Sequence, residues 1–389
     1  MVSADRKLFT LVSLLIGIGI LLSYTLTPYT TLLFGVNEFH FAIRQSIFGF
    51  VSILLLFLLS QLNPNKWLKP IGFALFFGSL VLMIAMPFLP ESVVSEVGGA
   101  KRWIKIADFS LAPVEFFKVG FIYFLAWSFS RKLGHHDGMG LSNEFKRFMP
   151  YAIIFLGAMF IIAFLQKDLG QVVVLGVTLL FMLIFAGSSF RFFLSILAVI
   201  FGAIILFIVT AEHRILRIKS WWALAQNSVL DLLPEAIAQR LRVPVEVEPY
   251  QIGHSLNAIH NGGLFGTGLA NGTFKLGFLS EVHTDFVLAG LAEEFGFFGV
   301  LIVVILFMWM IQRIFKIANR TKDTSIYLFS IGIGLILSFS FLVNAYGISG
   351  ITPIKGISVP FLSYGGSAML GAAFGVGMVL MASKKAKMN

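Results

Sequence analysis

Apolar residues run through this chain in long unbroken stretches instead of alternating with polar ones. Ten stretches are long enough to cross a bilayer core, at roughly 8–26, 41–61, 71–89, 112–130, 150–165, 170–187, 190–210, 286–312, 325–345 and 363–382. In lipid, backbone amides must be satisfied within their own segment, so each stretch predicts a helix. The expected fold is an all-α polytopic membrane protein, a single integral membrane domain over 1–389. Polar positions gather in three longer connections, 90–111, 211–284 and 346–362. The second is too rich in apolar residues to be filler. It holds Trp221 and Trp222, an amphipathic run with Ile237, Leu241 and Val243, and a glycine-rich stretch from Gly262 to Gly272. No internal repeat suggests an inverted-repeat transporter.

Composition sharpens this picture. Hydrophobic residues make up 58% of the chain and charged residues 12%, against about 25% charged in a soluble domain. Too few charges remain to cover a water-facing surface. The chain has no Cys, which excludes disulfides, thiolate metal sites and a cysteine nucleophile. The apolar stretch from Leu8 lacks a small-residue cleavage site and is expected to be a retained first helix, not a signal peptide.

The net charge of +10 would suggest nucleic acid in a soluble protein. Here the cations flank apolar stretches, so orientation and anionic headgroups explain them and no nucleic acid is expected. With the N-terminus inside, the short inner connections hold Arg6, Lys7, Lys66, Lys69, Arg131, Lys132, Lys146, Arg147, Arg191, Arg313, Lys316, Arg320, Lys322, Lys384, Lys385 and Lys387, sixteen in all. The short outer ones hold Lys101, Arg102, Lys105, Lys167 and Lys355, five in all. This asymmetry predicts both termini in the cytoplasm and the three long connections outside.

Charges at membrane depth are costly and each has two readings. Glu115 and Lys118 are three apart, on one helix face. They form either a self-neutralising ion pair or the wall of a polar cavity. Asp285 precedes the eighth stretch and is either a helix N-cap or a general base at the membrane surface; nothing local decides. Glu293 and Glu294 follow within that stretch and are expected to bond neighbouring helices. Lys101, Arg102 and Trp103 form either an interfacial anchor or a grip on a diphosphate, which suits an arginine fork. Lys167 and Asp168 occupy a tight turn, blandly a solvated hairpin. The glycines from 262 to 272 lack the spacing of a nucleotide site, and no His/Asp/Glu spacing matches a metalloprotease. Energy for any chemistry must then arrive on the substrate.

At this point a family resemblance emerges. The run Gly268-Leu269-Ala270-Asn271-Gly272-Thr273-Phe274-Lys275-Leu276-Gly277-Phe278-Leu279-Ser280-Glu281-Val282-His283-Thr284-Asp285-Phe286, continued by Ala292-Glu293-Glu294-Phe295-Gly296, resembles a signature of the SEDS (FtsW/RodA) family of shape, elongation, division and sporulation proteins. Pro353-Ile354-Lys355-Gly356 with Pro360-Phe361-Leu362-Ser363-Tyr364-Gly365-Gly366-Ser367 resembles its C-terminal signature. Ala100-Lys101-Arg102-Trp103-Ile104 with Pro113-Val114-Glu115 and Lys118 resembles its N-terminal one, and Asp168-Leu169-Gly170 a further short motif. Two positions depart from the pattern: Ser280 stands where the family has Pro, and Val114 where it has Ser. Lys355 and the run Asn271 to Leu276 resemble the division branch more than the elongation branch.

The resemblance implies a peptidoglycan glycosyltransferase that polymerises lipid II during division, in the bacterial cytoplasmic (inner) membrane with its active site facing outward. It implies Asp285 as the catalytic residue, and a substrate site drawn from Arg102, Trp103, Glu115, Lys118, Lys167, Asp168, His283, Lys355 and Ser363. It leaves room for a divalent cation, Mg or Mn, at the diphosphate, with no metal ligands assigned. It implies a class B penicillin-binding protein as partner, with other division proteins. Two alternatives stand beside it: a lipid II flippase, which needs polar groups through the membrane depth, and the elongation polymerase.

Overall fold

In the computed structural model, residues 4–97, 100–106, 109–132, 141–210, 250–353 and 356–386 are described, with positions 215, 218–219, 221–223, 226, 230–231 and 233–243 between them. Every one of the ten apolar stretches is helical. The long helices are α1 (Arg6–Thr25), α3 (His40–Gln61), α4 (Pro64–Ala85), α5 (Pro113–Lys132), α6 (Leu141–Phe160), α7 (Leu169–Phe185), α8 (Phe190–Val209), α11 (Val287–Asn319), α12 (Thr324–Ile348) and α13 (Gly366–Ser383). Shorter helices are α2 (Pro28–Phe34), α9 (Glu235–Leu241) and α10 (Tyr250–Gly262). Among the described residues, seven segments are long and apolar enough to cross a membrane by length and composition. The three other long helices are α7, with 17 residues, α8, and α5, which carries Glu115, Lys118, Arg131 and Lys132.

Local signals set the helix starts. Asp5 accepts from Leu8 N to cap α1, Asn63 caps α4 with Pro64 in its first turn, and Asp323 accepts from Ser325 N and Ile326 N to cap α12. α12 is the buried centre, packed against α5, α7 and α11, while α13 lies on α3 and α5. The α4–α5 crossing is close because small residues face it. A Cβ on Gly120 would lie 2.2 Å from Phe76 N, and one on Gly72 would strike the Tyr123 ring.

Two features differ from the sequence expectation. The connection 90–111 contains a small antiparallel sheet of β1 (Val94–Val97), β2 (Ala100–Ile106) and β3 (Phe109–Leu111), in the order β1-β2-β3. Trp103, Ile104 and Ile106 supply its β-preferring residues. The eighth stretch is also broken. Gly296 adopts φ 67° and ψ −167°, open only to glycine, inside α11. The preceding loop repairs the break: Thr267 N and Gly268 N donate to the Glu293 and Glu294 carbonyls, and Phe297 N and Phe298 N donate to Gly263 and Leu264.

The two chain ends meet at one end of the bundle. Asp5 N donates to Ser383 Oγ at 3.1 Å, the Asp5 carboxylate pairs with Arg313, and Lys384 Nζ donates to Leu62 O. The sheet, the 166–168 turn, the loop 263–286 and the loop 356–366 gather at the opposite end.

Candidate functional site

At that opposite end lies a cavity of about 580 Å³, within the roughly 300–1,000 Å³ usual for ligand sites. Asp285, Glu281, Arg102, Trp103, Glu115 and Asp168 line it, joined by Arg44, Gln166, Gln171, Thr284 and Tyr364. Five separate parts of the chain thus converge on one space.

Asp285 sits one residue before the helix cap. The N-cap of α11 is Phe286, which makes no side-chain capping bond, so the capping reading of Asp285 does not hold. The main chain around it is fixed at three successive carbonyls. Tyr364 N donates to His283 O at 2.8 Å, Ser363 Oγ to Thr284 O at 2.6 Å, and Asn344 Nδ2 to Asp285 O at 2.6 Å. Among the described residues no donor bonds the Asp285 carboxylate. Gly356, at φ 53°, passes beside it, and a Cβ there would lie 3.0 Å from Oδ2. Burial pushes the Asp285 carboxyl up to about 6, and the carboxylates of Glu281 and Asp168 add to the shift.

The other expected residues divide. Glu115 and Lys118 form an ion pair at 2.8 Å, and Gln171 Nε2 donates to Glu115 Oε1 at 3.2 Å. Glu115 lines the cavity, while Lys118 lines a smaller space of about 40 Å³ behind it with Ser340. Asp168 caps α7 by accepting from Gln171 N and faces the cavity. Its pKa is raised by burial, against the pull of the Gln171 amide and of Arg102. The 166–168 turn is therefore not a solvated hairpin. Arg102 pins it, with Nε donating to Gln166 O at 2.5 Å and Nη2 to Lys167 O at 2.9 Å. Its guanidinium also lies 5.9 Å from the Trp103 ring centre.

Besides Lys118, three further expected substrate contacts are not brought to the cavity. The Lys167 side chain is exposed outside it. His283 is buried at 7% exposure between Phe41 and Tyr364, where burial lowers its pKa. Ser363 is buried and accepts from Val359 N while holding Thr284. Lys355 lies outside the described residues. Glu293 and Glu294 bond the preceding loop and α10, not a neighbouring span. Glu293 Oε1 accepts from Asn261, Thr273 N and Phe274 N, and Glu294 pairs with Lys275 at 2.6 Å.

Sequence reasoning missed Arg44, Gln171 and Asn344. Arg44 lies in the second turn of α3, is hydrogen-bonded to Tyr364, and stands 5.8 Å from the Phe109 ring centre. A charge or amide inside an apolar stretch was the available signal for all three. Among the described residues no three His, Asp or Glu side chains are grouped to hold a metal. The lining carboxylates of Asp285, Glu281 and Asp168 suit at most a cation whose remaining ligands come from a bound diphosphate.

Comparison with known proteins agrees with this architecture. Residues 5–388 match the family FTSW_RODA_SPOVE, described as cell cycle protein. A probable peptidoglycan glycosyltransferase FtsW from Helicobacter pylori is 49% identical over 386 residues, covering 99% of this chain and 100% of its own. One from Trichlorobacter lovleyi is 31% identical, covering 99% and 94%. The rod shape determining protein RodA of Thermus thermophilus has the same fold at TM-score 0.65 and 22% identity, over 99% of this chain and 98% of its own. A chain from a peptidoglycan synthase complex that coordinates polymerization and crosslinking matches at TM-score 0.72 and 22% identity, over the full length of both.

Proposed function

The chain belongs to the FtsW/RodA/SpoVE family of cell cycle proteins, and from that membership and the cavity geometry we propose that it is a peptidoglycan glycosyltransferase polymerising lipid II at the division septum. The observation that carries the reading is the Asp285 carboxylate: without a hydrogen-bond donor among the described residues, held by its main chain, and facing a cavity with Arg44 and Arg102 on its wall. In glycan extension an acceptor sugar hydroxyl attacks the anomeric carbon of a lipid-linked donor. The bond from that carbon to the diphosphate oxygen breaks and the lipid diphosphate leaves. Asp285 takes the hydroxyl proton, and a carboxyl near 6 is ionised yet basic at neutral pH. The guanidinium groups of Arg44 and Arg102 offset the charge on the departing diphosphate. A divalent cation, when bound with that diphosphate, would neutralise the same charge beside Asp285, Glu281 or Asp168.

On this reading the cavity faces outward from the cytoplasmic membrane and both termini lie inside, with ten spans between; the sixteen-to-five cation asymmetry of the short connections supports it. It also calls for a crosslinking partner, a class B penicillin-binding protein, since a polymerase alone leaves strands unjoined. The test is chain-length analysis of products from purified lipid II with detergent-solubilised protein. Wild type should make long strands, and Asp285→Asn should fall by about 10²–10⁴-fold. Long strands from Asp285→Asn would remove the base assignment; lipid II transport without polymerisation by wild type would return the flippase reading.

A further inference from the structure

A second cavity, of about 400 Å³, opens at the end of the bundle away from Asp285. It lies where the first turns of α4 and α12 meet the last turn of α5 and the residues after α13. Among the described residues three cations line it, Lys69, Arg131 and Lys385, against one carboxylate, Asp323. Lys385 reaches Asp323 only loosely, at 3.4 Å, and Asp323 is already the cap of α12. Among the described residues Lys69 and Arg131 have no carboxylate partner. Both stand over the Trp127 ring instead, at 5.7 and 4.4 Å from its centre. The described wall thus carries three positive charges less one negative. Glycosyl transfer at the other end of the molecule has no use for them.

We propose that this basin binds the phosphate headgroup of an anionic phospholipid. Its depth matches the helix ends, where the membrane surface lies, and basic pockets between spans recognise such headgroups. Tryptophan marks that level: Trp127 forms the wall, and Trp67 beside it is 41% exposed with Lys66 over its ring. Phe77 and Val81 of α4 are exposed farther along the same helix, where acyl chains would lie. The guanidinium fork of Arg131 suits a phosphate. The space is many times the roughly 30 Å³ of a water molecule and accommodates a phosphate with its glycerol. A bound headgroup would tie α4, α5 and the central α12 together at one point. The proposal stands whether or not Asp285 is the base.

The test is native mass spectrometry of the purified full chain in detergent, titrated with phosphatidylglycerol, phosphatidylcholine or inorganic phosphate. Wild type is compared with Lys69→Gln/Arg131→Gln and with Lys7→Gln/Lys146→Gln, which removes two exposed cations elsewhere at the same end. Each cation is worth roughly fivefold in affinity, so the cavity variant should bind phosphatidylglycerol about 25-fold more weakly. The control should stay within about twofold of wild type, and phosphatidylcholine should not distinguish the three proteins. If the cavity variant does not fold, Lys385→Gln replaces it, with about a fivefold loss expected. Equal loss in the control means diffuse surface attraction, and no loss in the cavity variant means no site. Either result overturns the proposal, as does inorganic phosphate binding as tightly as the lipid.

Discussion

At the residue scale, the linkage at Asp285 separates a base from a structural acid. Its carboxyl is raised to about 6 in the fold, above an unfolded value of about 3.9. The folded state therefore binds the proton more tightly. That stabilising contribution is fully present below about pH 4 and is lost as pH rises through about 6. At pH 8 the ionised carboxylate works against the fold by at most about 3 kcal/mol, less where cavity water screens it. Asp285→Asn should thus melt at a higher temperature than wild type at pH 8, with the gap closing toward pH 5, while wild-type polymerisation rises through pH 6. Thermal melts and rates across that range check both; a variant less stable than wild type at pH 8 would contradict the burial argument. The residues holding Asp285 were harder to read. Ser363 and Asn344 act on backbone carbonyls, and a carbonyl leaves no trace in the residue type it belongs to. The resemblance suggested Ser363 as a substrate contact because position in a motif does not distinguish touching substrate from holding the residue that does.

At the element scale, apolar stretches gave the helices, since length and apolarity are what a bilayer demands. They did not give the break at Gly296, because loop donors repair it and the apolar pattern runs on unchanged. They also did not give the loop's anchor, the Lys275–Glu294 pair, whose side chains are 1% and 0% exposed. Lys275 Nζ bonds Thr25 O as well, so one ammonium joins α1, the loop and the first half of α11. Removing one member strands a buried charge, typically at about 3–5 kcal/mol, whereas replacing both with apolar residues is often neutral. Lys275→Met should therefore lower stability by about that amount, and Lys275→Met/Glu294→Leu should recover most of it. Denaturant or thermal unfolding in detergent reads both. A double variant as unstable as the single would mean the pair serves the fold through something other than charge compensation.

At the scale of the whole molecule, one asymmetry predicts which face the site uses. Asp5, Arg313, Lys384 and Lys385 share the end with the chain termini, and most of the sixteen inner cations belong to connections at that end. The site end holds Lys101, Arg102, Lys105 and Lys167, joined by Arg44 from the second turn of α3. Adding Arg44 leaves the balance strongly one-sided, so the terminal end should face the cytoplasm and Asp285 the outside. Because the chain has no Cys, single cysteines report sidedness without background. Glu91→Cys lies beside the sheet at the site end and Lys322→Cys between α11 and α12; both positions are exposed. In intact cells a membrane-impermeant thiol reagent should label Glu91→Cys and spare Lys322→Cys, and permeabilised cells should show both. Labelling of Lys322→Cys alone in intact cells would put Asp285 on the cytoplasmic side, where an outward-facing polymerase cannot work.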